Sequence, residues 1–261
     1  MFATLGVTQL AFSQDWGDGH ARAELLLAST HYQPGISLQA AVRITYQDGW
    51  HGYWVNPGEG GMKTEIKWNL PVGWTAGPLL FPAPSREMTG ELACYGYEGE
   101  IVIPVLLTVP LDASGEITLS ADLTWLACND NGCAPGDAAI SAKISAGEKQ
   151  SSQHESKIKH ALDVLPIENK EIAVALEDAA DGKMIISLTN TGNLPLDGAE
   201  IFPITEQALD PKDPIVVRKI ATGFQAIVKK NEYAVNSLKE LHFLVTGKSL
   251  DRAISLTWIK K

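Results

Sequence analysis

Apolar and polar residues alternate along most of this chain with the two-residue period of half-buried β-strands. The alternation is clearest from Ile36 to Tyr46 and from Ile117 to Trp125, where every second residue is apolar. Turn-forming glycine, proline, asparagine and aspartate interrupt it at intervals of roughly ten residues, as between the strands of a β-sandwich. No rhythm of strand, helix and strand appears. The pattern therefore predicts an all-β fold.

A polar segment separates two stretches of this alternating pattern. Residues 148–166 are rich in serine, lysine, glutamate and glutamine, and a short helical pattern runs from Gln153 to Leu165. We interpret residues 148–166 as a short, partly helical linker. It would join a β-sandwich domain of residues 20–147 to a second one of residues 167–261, which has no cysteine and no cluster of histidines or carboxylates at ligand spacing.

Composition and charge narrow the classes of function. The net charge of −10 argues against binding to nucleic acid and to anionic membrane surfaces. No apolar run reaches the about 18 residues of a membrane-spanning helix, so we expect no membrane span in this chain. We expect residues 1–19 to be a leader or the remnant of a signal peptide, although Met1–Phe12 lacks a basic start and a small-residue cleavage site.

Two of the three cysteines stand in a predicted β-hairpin whose turn contains Asp130, Asn131 and Gly132. With a four-residue loop, Cys128 and Cys133 are directly opposed, with Cα atoms about 4.5–5.5 Å apart, a distance that a disulfide can span. A bridge across so short a loop adds little chain-entropy stabilisation, which makes it a candidate for chemistry. A static bridge that only holds the turn fits the same spacing. A zinc site would need four ligands, and no second Cys/His pair lies nearby.

Five strings of the chain together resemble one protein family. They are GWHGYWVNPGEGG (Gly49–Gly61), LPVG (Leu70–Gly73), FPAP (Phe81–Pro84), YGYEGE (Tyr95–Glu100) and WLACNDNGCAPG (Trp125–Gly136). They are similar to the periplasmic amino-terminal region of the thiol:disulfide interchange reductase DsbD, in its ScsB-type branch, which is associated with copper tolerance. The resemblance is strong from about residue 20 to residue 147. It is weaker beyond residue 166, where ScsB-type proteins carry a second immunoglobulin-like domain, so it implies two immunoglobulin-like sandwiches.

The resemblance implies an electron-transfer relay without a cofactor other than a redox-active disulfide. In this family, a thioredoxin-like domain of a membrane reductase donates reducing equivalents, and periplasmic thioredoxin-fold oxidoreductases accept them. Cys128 and Cys133 match the active-site pair, and Cys133 matches the cysteine that forms the mixed disulfide with partners. The chain would then be a periplasmic protein-disulfide reductase, either as a separate protein or as part of a larger inner-membrane protein.

The resemblance also implies which residues surround the pair. The segment Trp50–Trp54 corresponds to residues beside the disulfide, and part of Met88–Tyr95 corresponds to a loop that caps it. The expected surround consists of Trp50, His51, Tyr53, Trp54, Tyr95 and Asp130. Judged by residue type alone, the aromatic members belong in a core more often than in a site, and Asp130 should disfavour a nearby thiolate.

Two other interpretations of the function stay open. The chain could be an immunoglobulin-like protein-binding module with a purely structural disulfide. It could also bind copper through Cys128, Cys133, His51 or Met62, whose soft and imidazole ligands suit that metal.

We predict that Cys94 is a buried lone thiol, as free cysteines are among the most buried residue types. The alternative places it in the capping loop, close enough to trap a mixed disulfide.

Overall fold

The structure is a computed structural model that describes residues 16–260 except residues 18, 233 and 235–237. Most of the expected leader, residues 1–15 and 18, therefore lies outside the described residues. Strands dominate the described part, which contains a single α-helix. The all-β, immunoglobulin-like fold class is confirmed.

Eleven strands build the first sandwich, and their alternating residues divide between a core face and an outer face. The strands are β1 Ala21–Leu27, β2 His31–Tyr32, β3 Leu38–Tyr46, β4 His51–Gly58, β5 Glu65–Asn69, β6 Thr75–Ala76, β7 Ser85–Thr89, β8 Leu92–Glu98, β9 Glu100–Thr108, β10 Glu116–Asn129 and β11 Gly132–Ala146. One sheet has the order β1-β3-β9-β6. The other has the order β2-β11-β10-β4-β8-β7, with β5 paired to β10.

The core of this sandwich lies between its two sheets. Val42 and Leu107 from the first sheet meet Leu119 and Leu123 from the second, and all four side chains are fully buried. Trp125 joins the same core from β10, and its indole N–H donates to the carbonyl of Gly19 at 2.9 Å. The core residues of β10 are thus the alternate apolar residues that the sequence pattern identified.

The predicted helical stretch forms helix α1, Glu155–Asp163. The helix does not stand free between two domains. Its Ile158 is fully buried against Leu26, Ala28 and Ala41 on the outer face of the first sandwich. The segment after the first sandwich is therefore partly attached to it.

Nine further strands build the second sandwich. They are β12 Ile167–Glu168, β13 Ala173–Asp178, β14 Lys183–Thr189, β15 Glu200–Pro203, β16 Ile215–Val216, β17 Arg218–Ile220, β18 Gly223–Lys229, β19 Glu240–Thr246 and β20 Ile254–Ile259. The sheets β12-β20-β19-β15-β16 and β13-β14-β18-β17 enclose a separate core that includes Ile186, Leu188 and Phe243. The division into independently folding domains of residues 20–147 and 167–261 stays a prediction.

The two sandwiches touch at the β4-β8-β7 side of the first one. Trp54, Tyr95 and Tyr97 from the first sandwich form one buried cluster with Phe202 and Leu244 from the second. This contact involves the same strands that cover the paired cysteines.

Candidate functional site

The paired cysteines lie at the end of a long antiparallel hairpin. Strands β10 and β11 pair from Glu116 and Ser145 up to Asn129 and Gly132. The reversal is therefore tighter than the four-residue loop that the sequence predicted, because the two residues flanking the turn are themselves paired.

Cys128 and Cys133 are directly opposed, as predicted, and a disulfide joins them. The turn between them consists of Asp130 and Asn131, and the side-chain oxygen of Asn129 accepts a hydrogen bond from the Asn131 N–H at 2.8 Å. Such an Asx turn holds a tight reversal without help from the disulfide. The tight reversal thus has a hydrogen-bonded support of its own besides the bridge.

The two cysteines of the bridge differ in exposure. Cys128 is 0% exposed, because β10 lies inside the sheet and Cys128 is paired with His51 of β4 on its other side. Cys133 is exposed. Among the described residues, β11 has a further partner strand only at Ser145 and Ala146, so its beginning is a free sheet edge. A partner can therefore approach one sulfur of the pair and not the other.

A small cover buries Cys128 on the outer face of the sheet. Cys128 forms a buried cluster with Tyr53 of β4 and Cys94 of β8, and Leu126 packs against it. These residues share a face because residues two apart on a strand point the same way. The neighbouring Ala127 points to the opposite face, into the core.

Thr89 connects the residues of this cover. Its hydroxyl oxygen lies 3.0 Å from the Tyr53 hydroxyl and 3.1 Å from Nε2 of His51. The thiol of Cys94 donates to the same oxygen at 3.8 Å. Thr89 ends β7, and a Cβ added at the next residue, Gly90, would lie 3.8 Å from the carbonyl oxygen of Asp130. The tip of the β7-β8 hairpin thus lies against the turn of the cysteine hairpin.

The cover around Cys128 carries no charge at neutral pH. Burial lowers the pKa of His51, although Glu98 and Asp130 act in the opposite direction. Burial raises the pKa of Tyr53 to about 12 and is opposed by the hydrogen bond to Thr89. Burial also raises the pKa of the Cys94 thiol. The imidazole is therefore neutral, and the phenol and thiol keep their protons.

The structure brings together only part of the expected surround. His51, Tyr53 and Asp130 lie at the pair, as expected. Trp50 instead stacks on His20, with ring centroids 3.6 Å apart, and packs against the first core.

Trp54 and Tyr95 are the clearest corrections to that expected surround. Both side chains point away from the disulfide and pack against Phe202 of the second sandwich. The reason is strand alternation: Tyr53 and Cys94 face the bridge, so the residue after each of them faces the other way.

Cys94 is buried and unpaired, as predicted. It is 1% exposed, and all three cysteines lie in the described part of the chain. It also belongs to the cluster over Cys128, although it lies on strand β8 and not in a loop, and its capacity to trap a mixed disulfide stays a prediction. Sequence analysis did not single out Thr89, because a threonine at a strand end is common.

Neither a cluster of metal ligands nor a membrane-spanning helix is present in the residues that the structure describes. No group of three or more His, Cys, Asp or Glu side chains there could hold a metal ion, and copper binding stays a prediction. In that part of the chain, no helix has the length and apolar character of a membrane span.

The comparison with solved structures gives a good match in fold to a periplasmic domain. It is the N-terminal periplasmic domain of ScsB from Proteus mirabilis, with a TM-score of 0.65 at 21% identity, covering 93% of this chain and 94% of that one. The YadV chaperone has a TM-score of 0.24 at 10% identity, covering 91% and 100% of the two chains. The pilin subunit BcpA from Bacillus cereus has a TM-score of 0.29 at 8% identity, covering 92% and 67%. These two similarities are too weak to carry an argument.

The comparison with protein families gives a match to the first sandwich. The model described as "Thiol:disulfide interchange protein DsbD, N-terminal" matches residues 23–144. No curated protein matches the chain significantly. The matched residues include the whole cysteine hairpin and its cover. Residues 23–144 are therefore similar to the N-terminal domain of DsbD, the resemblance that the five sequence strings indicated.

Proposed function

We propose that this protein is a periplasmic thiol:disulfide exchange relay that works through the Cys128–Cys133 pair. Its electron donor would be a thioredoxin-like domain of a membrane reductase, and its acceptors periplasmic thioredoxin-fold oxidoreductases. The observation that carries the proposal is the unequal exposure of one disulfide, with Cys133 exposed and Cys128 fully buried. The family of residues 23–144 supports the same chemistry.

Reduction of the pair begins at its exposed sulfur. A donor thiolate attacks Sγ of Cys133, the Cys133–Cys128 bond breaks, and its electron pair leaves on Cys128, which then takes up a proton. The donor's second thiol gives up its proton and attacks the donor sulfur of the mixed disulfide. This step releases the Cys133 thiolate and leaves the donor oxidised to a disulfide. Two electrons have then passed to the pair.

Oxidation of the pair by an acceptor runs through the same atoms. The thiolate of Cys133 attacks the acceptor's disulfide, and one acceptor sulfur leaves as a thiolate. Cys128 then loses its proton and attacks Cys133, which re-forms the bridge and releases the second acceptor sulfur. The acceptor is reduced by two electrons, so donor and acceptor balance over the cycle.

The uncharged cover gives the relay selectivity. A thiolate on Cys128 would be buried beside Tyr53 and Cys94, and burial without a positive partner disfavours the charged form. Cys128 is therefore a poor leaving group and a poor nucleophile while the cover is closed. A partner that displaces the β7-β8 tip while docking on Cys133 would remove this restraint.

The experiment that tests the relay is trapping of a mixed disulfide. In a Cys94→Ala background, Cys128→Ser leaves Cys133 to attack an oxidised periplasmic thioredoxin-fold protein, and no second thiol resolves the product. We expect a covalent complex on a non-reducing gel. Cys133→Ser should trap little, because the remaining sulfur is buried.

Two outcomes would contradict the relay as proposed. Equal trapping by both variants would remove the separate roles of the two cysteines. No trapping by either variant, together with a bridge that resists reduction until the protein unfolds, would favour the binding module with a structural disulfide.

A further inference from the structure

The β7-β8 hairpin has two faces, and the second sandwich holds the face that is turned away from the disulfide. Thr89 and Cys94 face the bridge. Arg86 and Tyr95 are directly paired across the hairpin and face the second sandwich. All four residues stand on strands β7 and β8. A displacement of one face of the hairpin therefore also displaces the other.

Arg86 is the main polar anchor of this contact. Its guanidinium donates to the carbonyl oxygens of Pro211 at 2.7 Å and Lys212 at 3.0 Å, and reaches that of Asp213 at 3.5 Å. It also lies 3.5 Å from the carboxylate of Glu200. The planar guanidinium has five N–H donors and can donate to several oxygens at once. A lysine in its place would not reproduce this set of hydrogen bonds.

Aromatic packing adds an apolar anchor beside Arg86. The ring of Tyr95 meets that of Phe202 edge to face, with centroids 5.3 Å apart, and the guanidinium of Arg86 lies 5.9 Å from the Tyr95 centroid. All three rings of the first sandwich in this cluster, Trp54, Tyr95 and Tyr97, are buried. The second sandwich therefore excludes water from the back of the hairpin.

A third anchor links the second sandwich to the backbone beside Cys94. Nδ2 of Asn56, in β4, donates to the carbonyl of Pro203 at 2.7 Å. Nζ of Lys212 lies 3.5 Å from the carboxylate of Glu59. The other oxygen of that carboxylate accepts a hydrogen bond from the N–H of Ala93 at 2.9 Å. Ala93, whose N–H binds the Glu59 carboxylate of this ion pair, directly precedes Cys94 in the chain.

We propose that the second sandwich is a positioning element for the exchange site, which holds the β7-β8 hairpin against Cys128 through Arg86 and Tyr95. It thereby sets how readily Cys128 gives up and regains its bond to Cys133, because attack at the exposed Cys133 leaves the electron pair on the covered sulfur of Cys128. The purpose of this control depends on the proposed relay function, whereas the control itself is measurable without any partner protein.

The free thiol of Cys94 serves as a reporter of hairpin opening. It is buried on the inner face of the hairpin, against Tyr53 and Cys128, and is hydrogen-bonded to Thr89, so a small maleimide reaches it only when that face lifts away. Reduction of the bridge by a small dithiol, which attacks the exposed Cys133, measures how readily the covered Cys128 leaves. Both rates are measured on the folded protein of residues 1–261.

Two variants weaken the contact from opposite sides. Arg86→Ala removes the anchor on the hairpin, and Phe202→Ala removes its partner ring without changing any residue of the first sandwich. We expect each to raise the Cys94 labelling rate and the bridge reduction rate roughly tenfold, since loss of a charged donor's hydrogen bonds, in Arg86→Ala, or of a buried aromatic ring, in Phe202→Ala, shifts an equilibrium by at least that factor. Arg86→Lys should fall between wild type and Arg86→Ala.

Matched controls separate this effect from general destabilisation. Arg43 has a similarly exposed side chain, 23% against 22% for Arg86, and also pairs with carboxylates, but it lies on β3 in the other sheet. Phe224 is buried in the second sandwich's own core. Arg43→Ala and Phe224→Ala should leave both rates close to wild type while the protein remains folded.

The proposal and the relay fail in different ways. Wild-type rates in both Arg86→Ala and Phe202→Ala would overturn the positioning role, as would equal acceleration in the two controls. Failure to trap a mixed disulfide would overturn the relay and leave these rates unaffected.

Discussion

The hydroxyl of Thr89 lies 3.0 Å from the hydroxyl of Tyr53, and this contact closes the cover over Cys128. The same oxygen serves His51 at 3.1 Å. Thr89 therefore joins two side chains of β4 to the tip of the β7-β8 hairpin. The cover therefore depends on this threonine, which the sequence did not suggest, as well as on Tyr53, which it did.

Thr89→Val tests that dependence, because valine keeps the shape of threonine and removes the hydroxyl. We expect a loss of about 1–3 kcal/mol in the free energy of unfolding, since two buried polar groups lose their partner. Cys94 should also label faster in the folded protein. Urea unfolding gives the first quantity and maleimide labelling the second. Thr89→Ser, which keeps the hydroxyl, is the control, and a Thr89→Val protein as stable as wild type would contradict the role.

His51 should make stability fall in mild acid. Burial lowers its folded-state pKa, against the opposing charges of Glu98 and Asp130. As the pH falls through about 6.5, the unfolded chain takes up a proton that folded His51 does not, so the unfolded state is favoured. The stabilisation is therefore present above the unfolded pKa and is lost below it.

The measurement for His51 is the urea midpoint between pH 8 and pH 5. His51→Gln, which keeps a polar contact with Thr89, should show a smaller decrease than wild type. The exposed His160 supplies the control, and His160→Gln should follow the wild-type curve. An unchanged decrease in His51→Gln would show that other groups cause it.

Gly96 is required for the pairing of β4 with β8. A Cβ at this position would lie 1.9 Å from the carbonyl oxygen of Gly52, which belongs to the backbone and cannot swing aside. Gly96→Ala should therefore destabilise the protein by about 1–3 kcal/mol or more, as measured by urea unfolding. Gly77→Ala is the control, because a Cβ there meets its nearest atom only at 3.4 Å. Equal stability of the two variants would contradict this close approach.

Helix α1 should stabilise the first sandwich. Ile158 is fully buried against Leu26 and Ala41, so Ile158→Ala should cost about 2–5 kcal/mol. The more exposed Val164 provides a comparison, and Val164→Ala should change the unfolding free energy little. A fragment of residues 20–165 should likewise be more stable than one of residues 20–147. If the two fragments have the same free energy of unfolding, helix α1 does not stabilise the first sandwich and is only part of a linker.

Local patterns explain which features the sequence predicted. The strand of Trp125 and the opposed pair Cys128 and Cys133 follow from two-residue alternation and a tight turn, which involve neighbours along the chain. Strand alternation could also have shown that Trp54 points away from the bridge if Tyr53 faces it.

Long-range contacts explain what the sequence did not predict. Thr89 meets His51 across 38 residues, and Arg86 reaches Pro211 across 125. Neither residue type is unusual at its position, and no periodicity specifies which distant backbone atoms each will meet. The role of Thr89 follows only from the packing of strands within the first sandwich, and that of Arg86 only from the packing of the two sandwiches against each other.

The reduction potential of the Cys128–Cys133 pair tests the central claim most directly. It is measured by equilibrating the folded protein in dithiol buffers of defined potential and quantifying the free thiols, with Cys94→Ala to remove the third. Static bridges of secreted proteins have potentials below about −300 mV, whereas exchanging pairs lie above that value. The relay predicts a potential above about −300 mV, with the sandwich still folded after reduction. A lower potential, or reduction only on unfolding, would contradict it.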